Sequence, residues 1–325
     1  MQIKRLQKYL KDVIPEFAFK NYSSKNPFIW KSKIKNIINK LAYSSFDHVY
    51  EVTKVKVGDK NSLHTEYISF KTSACITIKA ILLRPFGDGI FPFILICPGR
   101  NSVIERLTGL SPSEYEGENI SELLSKNGFA TLTVDYGIVG SINPVNLHGR
   151  DEIDLLSLAA SLLQLSPMGM VLNDLLYCLS WIETQRWYDQ KGVGIFGRSI
   201  GGFIATYLAL LYKNTTSVAL SNCLCSYPSL FDKSFPLSSI SVLPGILRYA
   251  DFPDLISVIA PMPLHLQISA NDPIYSYAEG IKVSKQIHSA YELFNVASSL
   301  ETYITKRHHG TDAGRVVEFF KKNQR

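Results

Sequence analysis

The stretch VGIFGRSIGGFIATYLALL, Val193 to Leu211, constrains this chain more than any other. An apolar run enters Gly197-Arg198-Ser199-Ile200-Gly201 and an apolar helical pattern leaves it, so the Gly-x-Ser-x-Gly unit reads as a sharp strand-to-helix turn with Ser199 at its apex. Glycine is needed at 197 and 201 because a side chain there would collide with the neighbouring strand and helix as the turn closes. The helix N-terminus beneath Ser199 favours developing negative charge. Away from that setting the five residues would be weak evidence, and the alternative is a glycine-rich turn with an incidental serine.

The surrounding pattern predicts an α/β chain. Val49 to Val57 alternates apolar and polar residues, and Tyr67 to Phe70 and Thr77 to Leu83 continue the alternation up to Arg84-Pro85, so antiparallel strands are expected first. Phe91 to Cys97 (FPFILIC) is continuously apolar and bounded by Gly89 and Pro98-Gly99, as in a strand covered on both faces. Strands and helices then alternate. Helices are expected near 117–127 and 151–185, over Ile200 to Tyr212 and Ala278 to Phe294, and through Val316 and Phe320. Strands are expected at Ala130 to Asp135, Val193 to Phe196, Ser217 to Ser221, Pro263 to Ser269 and Leu300 to Ile304. Such units specify a mostly parallel, doubly wound sheet with helices on both faces. Residues 223–254, rich in Ser, Pro and Leu, are too long for a simple connection and read as a lid insertion over the C-terminal edge of the sheet. Residues 1–45 are expected to be a peripheral helical extension, and 46–325 the catalytic domain.

Composition excludes little but directs the reading. A chain of 325 residues that is 46% hydrophobic can bury one large core. The net charge of +6 is spread too thinly to point to nucleic acid, and Lys31, Lys33, Lys35 and Lys40, interleaved with Ile34, Ile37, Ile38 and Leu41, read as the wet face of an amphipathic helix, the alternative being contact with an anionic membrane surface. That helix packs either on its own domain or on a second subunit of a homo-oligomer. Cys75, Cys97, Cys178, Cys223 and Cys225 lie in apolar surroundings and read as core thiols, and the single residue between Cys223 and Cys225 is neither a zinc nor a redox spacing. MQIKRLQKYLKDVIPEF lacks an apolar signal region, and no membrane span of about 18 apolar residues occurs, so a cytoplasmic protein is expected.

A serine hydroxyl needs a base to take its proton and a carboxylate to orient that base. In the fold that carries this turn, the chain order is serine, acid, histidine. Asp272 follows the strand Pro263 to Ser269, where it can either face the turn or close an Asx-turn before Pro273. His308 and His309 follow the last strand, and His309 is preferred because Gly310 lets the loop turn the ring. His48, His64, His148, His265 and His288 fall outside that order. The amides of Ile200 and of Arg100, in the loop after FPFILIC, are the expected oxyanion donors. Arg198 and Arg100 could meet an anionic part of the substrate or pair with carboxylates around the turn. Phe231, Phe235 and Leu247, with Leu237, Ile240, Leu243 and Tyr249, give the insertion an apolar character that either contacts the substrate or packs the insertion down.

On these residues the sequence resembles the α/β-hydrolase superfamily, and more narrowly its acetyl xylan esterase-like and dienelactone hydrolase-like branches, from about residue 28 to the end. The resemblance rests on GRSIGG, on Asn173-Asp174-Leu175, on LPGILRYADFPDLISVIAP and on APMPLHLQISANDPIY. It implies an α/β-hydrolase fold and a small-molecule ester or thioester substrate. It also implies Ser199 as nucleophile, Asp272 as acid and the histidine at 308 or 309 as base, with no metal or organic cofactor. Where relatives often show His-Gly in the oxyanion loop this chain shows Pro98-Gly99, which keeps backbone donors but removes a side chain. Two other readings use the same fold: an acyltransferase or cyclase whose apolar insertion excludes water, and a binding protein that has lost the chemistry.

Overall fold

A computed structural model of the protein describes residues 2–22, 26–42, 51–60, 62–71, 77–100, 102–112, 118–136, 152–231 and 238–324. Its strands are β1 (Glu51–Lys60), β2 (Leu63–Lys71), β3 (Thr77–Pro85), β4 (Phe91–Cys97), β5 (Ala130–Asp135), β6 (Tyr188–Arg198), β7 (Thr215–Ser221), β8 (Leu264–Ser269) and β9 (Leu300–Thr305). Its helices are α1 (Gln2–Asp12), α2 (Phe19–Tyr22), α3 (Pro27–Ala42), α4 (Ile104–Leu107), α5 (Ile120–Lys126), α6 (Glu152–Leu162), α7 (Pro167–Glu183), α8 (Ile200–Leu211), α9 (Phe252–Ser257), α10 (Tyr277–Leu293) and α11 (Ala313–Asn323).

One mixed sheet runs in the order β1-β2-β3-β5-β4-β6-β7-β8-β9. The pairs β1–β2, β2–β3 and β3–β5 are antiparallel, and every pair from β5 to β9 is parallel. The apolar run of β4 explains its central place. Phe93, Leu95 and Cys97 enter the large core on one face, while Ile94 and Ile96 enter a second core formed with α5 and α11 on the other. Period-two alternation has thus been applied to a strand with no wet face. The order also creates a topological switch. The chain leaves β4 towards β5 and leaves β6 towards β7, so a crevice opens between the C-terminal ends of β4 and β6, where α/β sheets bind ligands.

Three sequence expectations are corrected. The helix expected near 151–185 is two helices, α6 and α7, whose apolar parts lie at 85° to each other. Gln164 takes a positive φ of 58°, Ser166 caps α7 by accepting from the Gly169 N–H at 3.0 Å, and Pro167 starts that helix. Of the N-terminal helices α3 is not peripheral, because Trp30, Ile34 and Ile38 are buried in the large core, whereas Leu6 and Tyr9 of α1 are exposed. The Trp30 indole N–H donates to the Phe17 carbonyl at 2.7 Å. Nor is Lys31 on a wet face. Its ammonium donates to the carbonyls of Ala260 at 2.6 Å and Ile259 at 3.2 Å, and burial lowers its pKa to about 8.

The described part of the insertion after β7 contains three short 3₁₀ turns and leads into α9. Ile240, Leu243 and Ile246 are buried in the large core, and Phe231, Leu247 and Tyr249 pack against it. The Phe231 carbonyl accepts from Gln7 of α1 at 2.8 Å, the Tyr249 carbonyl accepts from the Phe17 N–H at 2.7 Å, and the Tyr249 ring stacks on Phe17. These contacts fasten the insertion to the N-terminal segment. Phe235 and Leu237 lie outside the described residues. Cys97, Cys178, Cys223 and Cys225 are buried free thiols, and burial pushes the Cys97 thiol up to about 12. Cys75 is outside the described residues. Among the described residues, no single helix is long and apolar enough to cross a membrane.

Candidate active site

Ser199 stands between β6 and α8 with φ 55° and ψ −122°. A non-glycine residue is held there at a cost on the order of 1–3 kcal/mol. The main chain supplies the restraint: the Ser199 N–H donates to the Ser221 carbonyl at 2.9 Å, and the Ser199 carbonyl accepts from the Gly202 N–H at 2.9 Å. Ser199 is buried, and its side chain does not cap α8, so Oγ is not committed to the helix it begins.

The glycines are required by close approach. A Cβ on Gly201 would fall 2.6 Å from the Pro98 carbonyl oxygen and closer still to that of Cys97, and one on Gly197 would lie 2.7 Å from Cβ of Ala205. A Cβ on Gly99 would lie only 3.5 Å from Cβ of Ser199. The loop after β4 is therefore laid directly against Ser199. Arg100 follows Gly99 in this loop, and Ile200 is the first residue of α8, whose leading N–H groups lack intrahelical acceptors. Arg198 and the buried Glu118 line one small cavity behind the turn, together with Gly99 and Thr311.

Asp272 follows β8 and divides its two oxygens. Oδ1 accepts the N–H groups of Ile274 at 2.8 Å and Tyr275 at 3.1 Å, which is the Asx-turn expected before Pro273. Oδ2 is 2.8 Å from Nδ1 of His309. The turn and the histidine contact were alternatives in the sequence, and the carboxylate makes both. Its side chain is only 2% exposed, whereas the His309 side chain is 22% exposed. His308 is turned elsewhere, with Nδ1 3.2 Å from the Asn271 carbonyl oxygen.

The His309 loop is pinned at the ends of β7 and β8. Asn222 donates to the Gly310 carbonyl at 3.0 Å, and the hydroxyls of Ser221 and Thr311 are 2.9 Å apart. Gln267 donates to the Asp312 carbonyl at 2.8 Å and accepts from the Asp312 N–H at 2.9 Å. Ser269 donates to the Arg307 carbonyl. None of these neighbours was legible from the sequence, since each contact joins residues distant along the chain.

Tyr275 was also missed. Its ring stacks with that of His309, centroids 5.8 Å apart and planes 14° from parallel. Burial holds its phenol well above the ordinary tyrosine pKa, so it stays neutral. The signal available was the Asx-turn, which fixes the residue three places after Asp272.

Of the remaining histidines, His64 contacts Glu66 at 3.1 Å, His265 is buried beside Gln267, and His288 pairs with Glu292 on the exposed side of α10. His48 and His148 lie outside the described residues. Phe231 and Leu247 are accounted for by the packing of the insertion. Among the described residues, no cluster of three or more His, Cys, Asp or Glu side chains is placed to hold a metal.

Fold and site define an α/β-hydrolase. A family model described as "Abhydrolase family" matches residues 3–302, and the chain belongs to that family. The match includes the N-terminal helices and ends before His309. Solved structures similar to this chain include a candidate acetyl xylan esterase from Bacteroides fragilis, with TM-score 0.76 and 18% identity over 93% of this chain and 81% of that one. The glucuronoyl esterase from Solibacter usitatus aligns with TM-score 0.63 and 13% identity, covering 90% of this chain and 91% of that one. The acetyl xylan esterase from Paenibacillus sp. R4 aligns with TM-score 0.60 and 16% identity, covering 99% and 100%. No curated protein matches the sequence.

Proposed function

We propose that this protein is a serine-dependent carboxylic-ester hydrolase acting on a small-molecule ester or thioester, with Ser199, Asp272 and His309 as its working set. The observation that carries this reading is the 2.8 Å contact between Asp272 Oδ2 and His309 Nδ1, made on the loop that is pinned to the end of β7, the strand whose Ser221 carbonyl accepts the Ser199 N–H. The names of structural neighbours support it, since those cited are esterases.

In this mechanism the Asp272 carboxylate accepts a hydrogen bond from Nδ1–H of His309 without taking its proton, leaving Nε2 as the base. Ser199 Oγ attacks the acyl carbon as its proton passes to Nε2, and the carbonyl oxygen becomes an oxyanion facing the amides of Ile200 and Arg100. Imidazolium then protonates the leaving alkoxide or thiolate, the carbonyl re-forms as the acyl-enzyme, and water repeats the sequence to release the acid. The position of Ser199 at the head of α8 adds the favourable end of a helix dipole to the oxyanion site.

The test is covalent labelling by a fluorophosphonate and turnover of p-nitrophenyl esters of increasing acyl length, by the wild type and by Ser199→Ala. Both signals are expected in the wild type and absent in the variant. Full turnover by Ser199→Ala, or no labelling of the folded wild type, overturns the proposal.

A further inference from the structure

We propose that His265 is a positioning residue, held neutral with its proton on Nδ1 so that Nε2 fixes the Gln267 amide that clamps the His309 loop, an inference that rests on the serine-hydrolase reading above. His265 and Gln267 stand two apart on β8 and share one face of the sheet. They are 3% and 0% exposed, so the polar atoms between them must be matched donor to acceptor.

The hydrogen-bond roles follow outward from the main chain. The Asp312 N–H can only donate, so the atom it meets at 2.9 Å is the Gln267 oxygen. The Gln267 NH₂ group is thereby turned to the Asp312 carbonyl at 2.8 Å and to Nε2 of His265 at 3.2 Å. With one amide proton directed to each, Nε2 must accept, and the ring proton sits on Nδ1. Nδ1 lies 3.5 Å from Oε2 of Glu301, the residue that pairs with His265 across β9, which suits a ring N–H facing a carboxylate.

The clamp matters because Asp312 closes the loop that carries His309, and that loop and Ser199 are held at the same end of β7. Thr311 meets the Ser221 hydroxyl, and the Ser221 carbonyl accepts the Ser199 N–H. A proton on Nε2 would set the ring against the Gln267 NH₂, donor against donor. Turning the amide over would relieve that contact only by facing NH₂ to the Asp312 N–H and oxygen to the Asp312 carbonyl. A loop released in this way acts on the reacting centre steeply, since a misplacement of about 1 Å can cost on the order of a hundredfold in rate. Around the ring, β7 contributes the uncharged Ala219, and α11 contributes the Phe319 ring at 5.4 Å and Lys322, whose ammonium donates to Glu301 at 2.8 Å. Glu301 favours the imidazolium and Lys322 opposes it. The Asp312 carboxylate is engaged by the Arg315 N–H and the Tyr303 hydroxyl.

The first measurement needs no variant: nitrogen NMR of histidine-labelled wild type at about pH 8, with the His265 ring assigned through its contact with Phe319. A neutral ring protonated at Nδ1 is expected, and a ring protonated at Nε2 overturns the inference. The second compares Gln267→Glu with wild type in fluorophosphonate labelling rate and in kcat and KM for p-nitrophenyl acetate between about pH 6 and about pH 8.5. The introduced carboxylate still accepts from the Asp312 N–H but cannot donate to Nε2, so it fits a ring protonated there and the variant gains from the proton that the wild type must exclude. Its kcat should lie about thirtyfold below wild type at the alkaline end and recover to about threefold below at the acid end, with KM within about twofold. Protonation of His309 is common to both proteins and cancels in the ratio. A merely structural loss would lower the ratio equally at every pH, and a flat ratio in folded Gln267→Glu overturns the inference while leaving the esterase reading intact. Should Gln267→Glu fail to fold, the wild-type tautomer decides the matter alone. A folded wild type that neither labels nor hydrolyses the ester removes the reading beneath it.

Discussion

Asp272 binds His309 and its own turn through separate oxygens: Oδ2 lies 2.8 Å from Nδ1 of His309, while Oδ1 accepts two main-chain N–H groups. The division predicts a clean mutational separation. In Asp272→Asn the amide oxygen can keep the turn, but the NH₂ group cannot accept from Nδ1–H, so the wrong tautomer is favoured. Activity should fall about 10³- to 10⁴-fold in kcat with little change in stability. Steady-state kinetics and thermal unfolding on the same preparation check both halves.

The two adjacent histidines make a second contrast. His309 faces Asp272 and His308 faces the Asn271 carbonyl. Replacing His309 with Ala should lower kcat about 10³-fold or more, whereas His308→Ala should stay within about threefold of wild type. Comparable losses in both variants would assign the base wrongly.

Gly201 carries the closest approach in the turn. A methyl group there must displace the carbonyls of Cys97 and Pro98, which are main-chain atoms of β4 and of the loop laid on Ser199. Gly201→Ala should lose activity and destabilise by more than about 2 kcal/mol. Urea unfolding measures the second effect. A variant as stable as wild type would mean that the loop yields without cost.

These sites differ in how far the sequence could reveal them. Ser199 is set by local pattern, because strand, turn and helix are contiguous. Asp272 and His309 follow from chain order along a sheet whose strands were individually visible. Tyr275 depends on a stack across 34 positions, 309 − 275, and on an Asx-turn that closes only in the folded chain. The break before α7 had a visible signal in Ser166-Pro167, outweighed by a continuous apolar pattern on both sides of it. Lys31 misled for a different reason. Periodicity places a charge on a helix face but cannot show that carbonyls in the turn after another helix wait opposite it.

The buried face of α3 makes the N-terminal segment part of the core. Trp30 is 0% exposed, lies beside the Tyr22 and Phe19 rings, and donates to the Phe17 carbonyl. Trp30→Ala should therefore cost about 3–5 kcal/mol. Denaturant unfolding of the whole chain should show the loss in one transition. A separate early transition confined to the N-terminal segment would make that segment an independent unit.

Asp174 on α7 predicts a pH dependence of stability whose sign can be worked out. Burial raises its carboxyl from the ordinary 3.8 to about 7, so between those values the folded chain holds a proton that the unfolded chain has released. Stability must then fall as pH rises through that window, because the folded state binds more protons there. Below about pH 4 both states are protonated and the group exerts no slope. Above about pH 7 both are ionised, and the full cost of burying the charge is present. Asp174→Asn removes the titration while keeping the shape. Its stability relative to wild type should therefore increase by on the order of 1–2 kcal/mol between pH 4.5 and pH 8, the partly exposed edge of the carboxylate reducing the larger value that the full shift implies. Urea midpoints of the two proteins at those two pH values give the comparison. Parallel pH profiles would mean that water reaches the folded carboxylate as freely as the unfolded one.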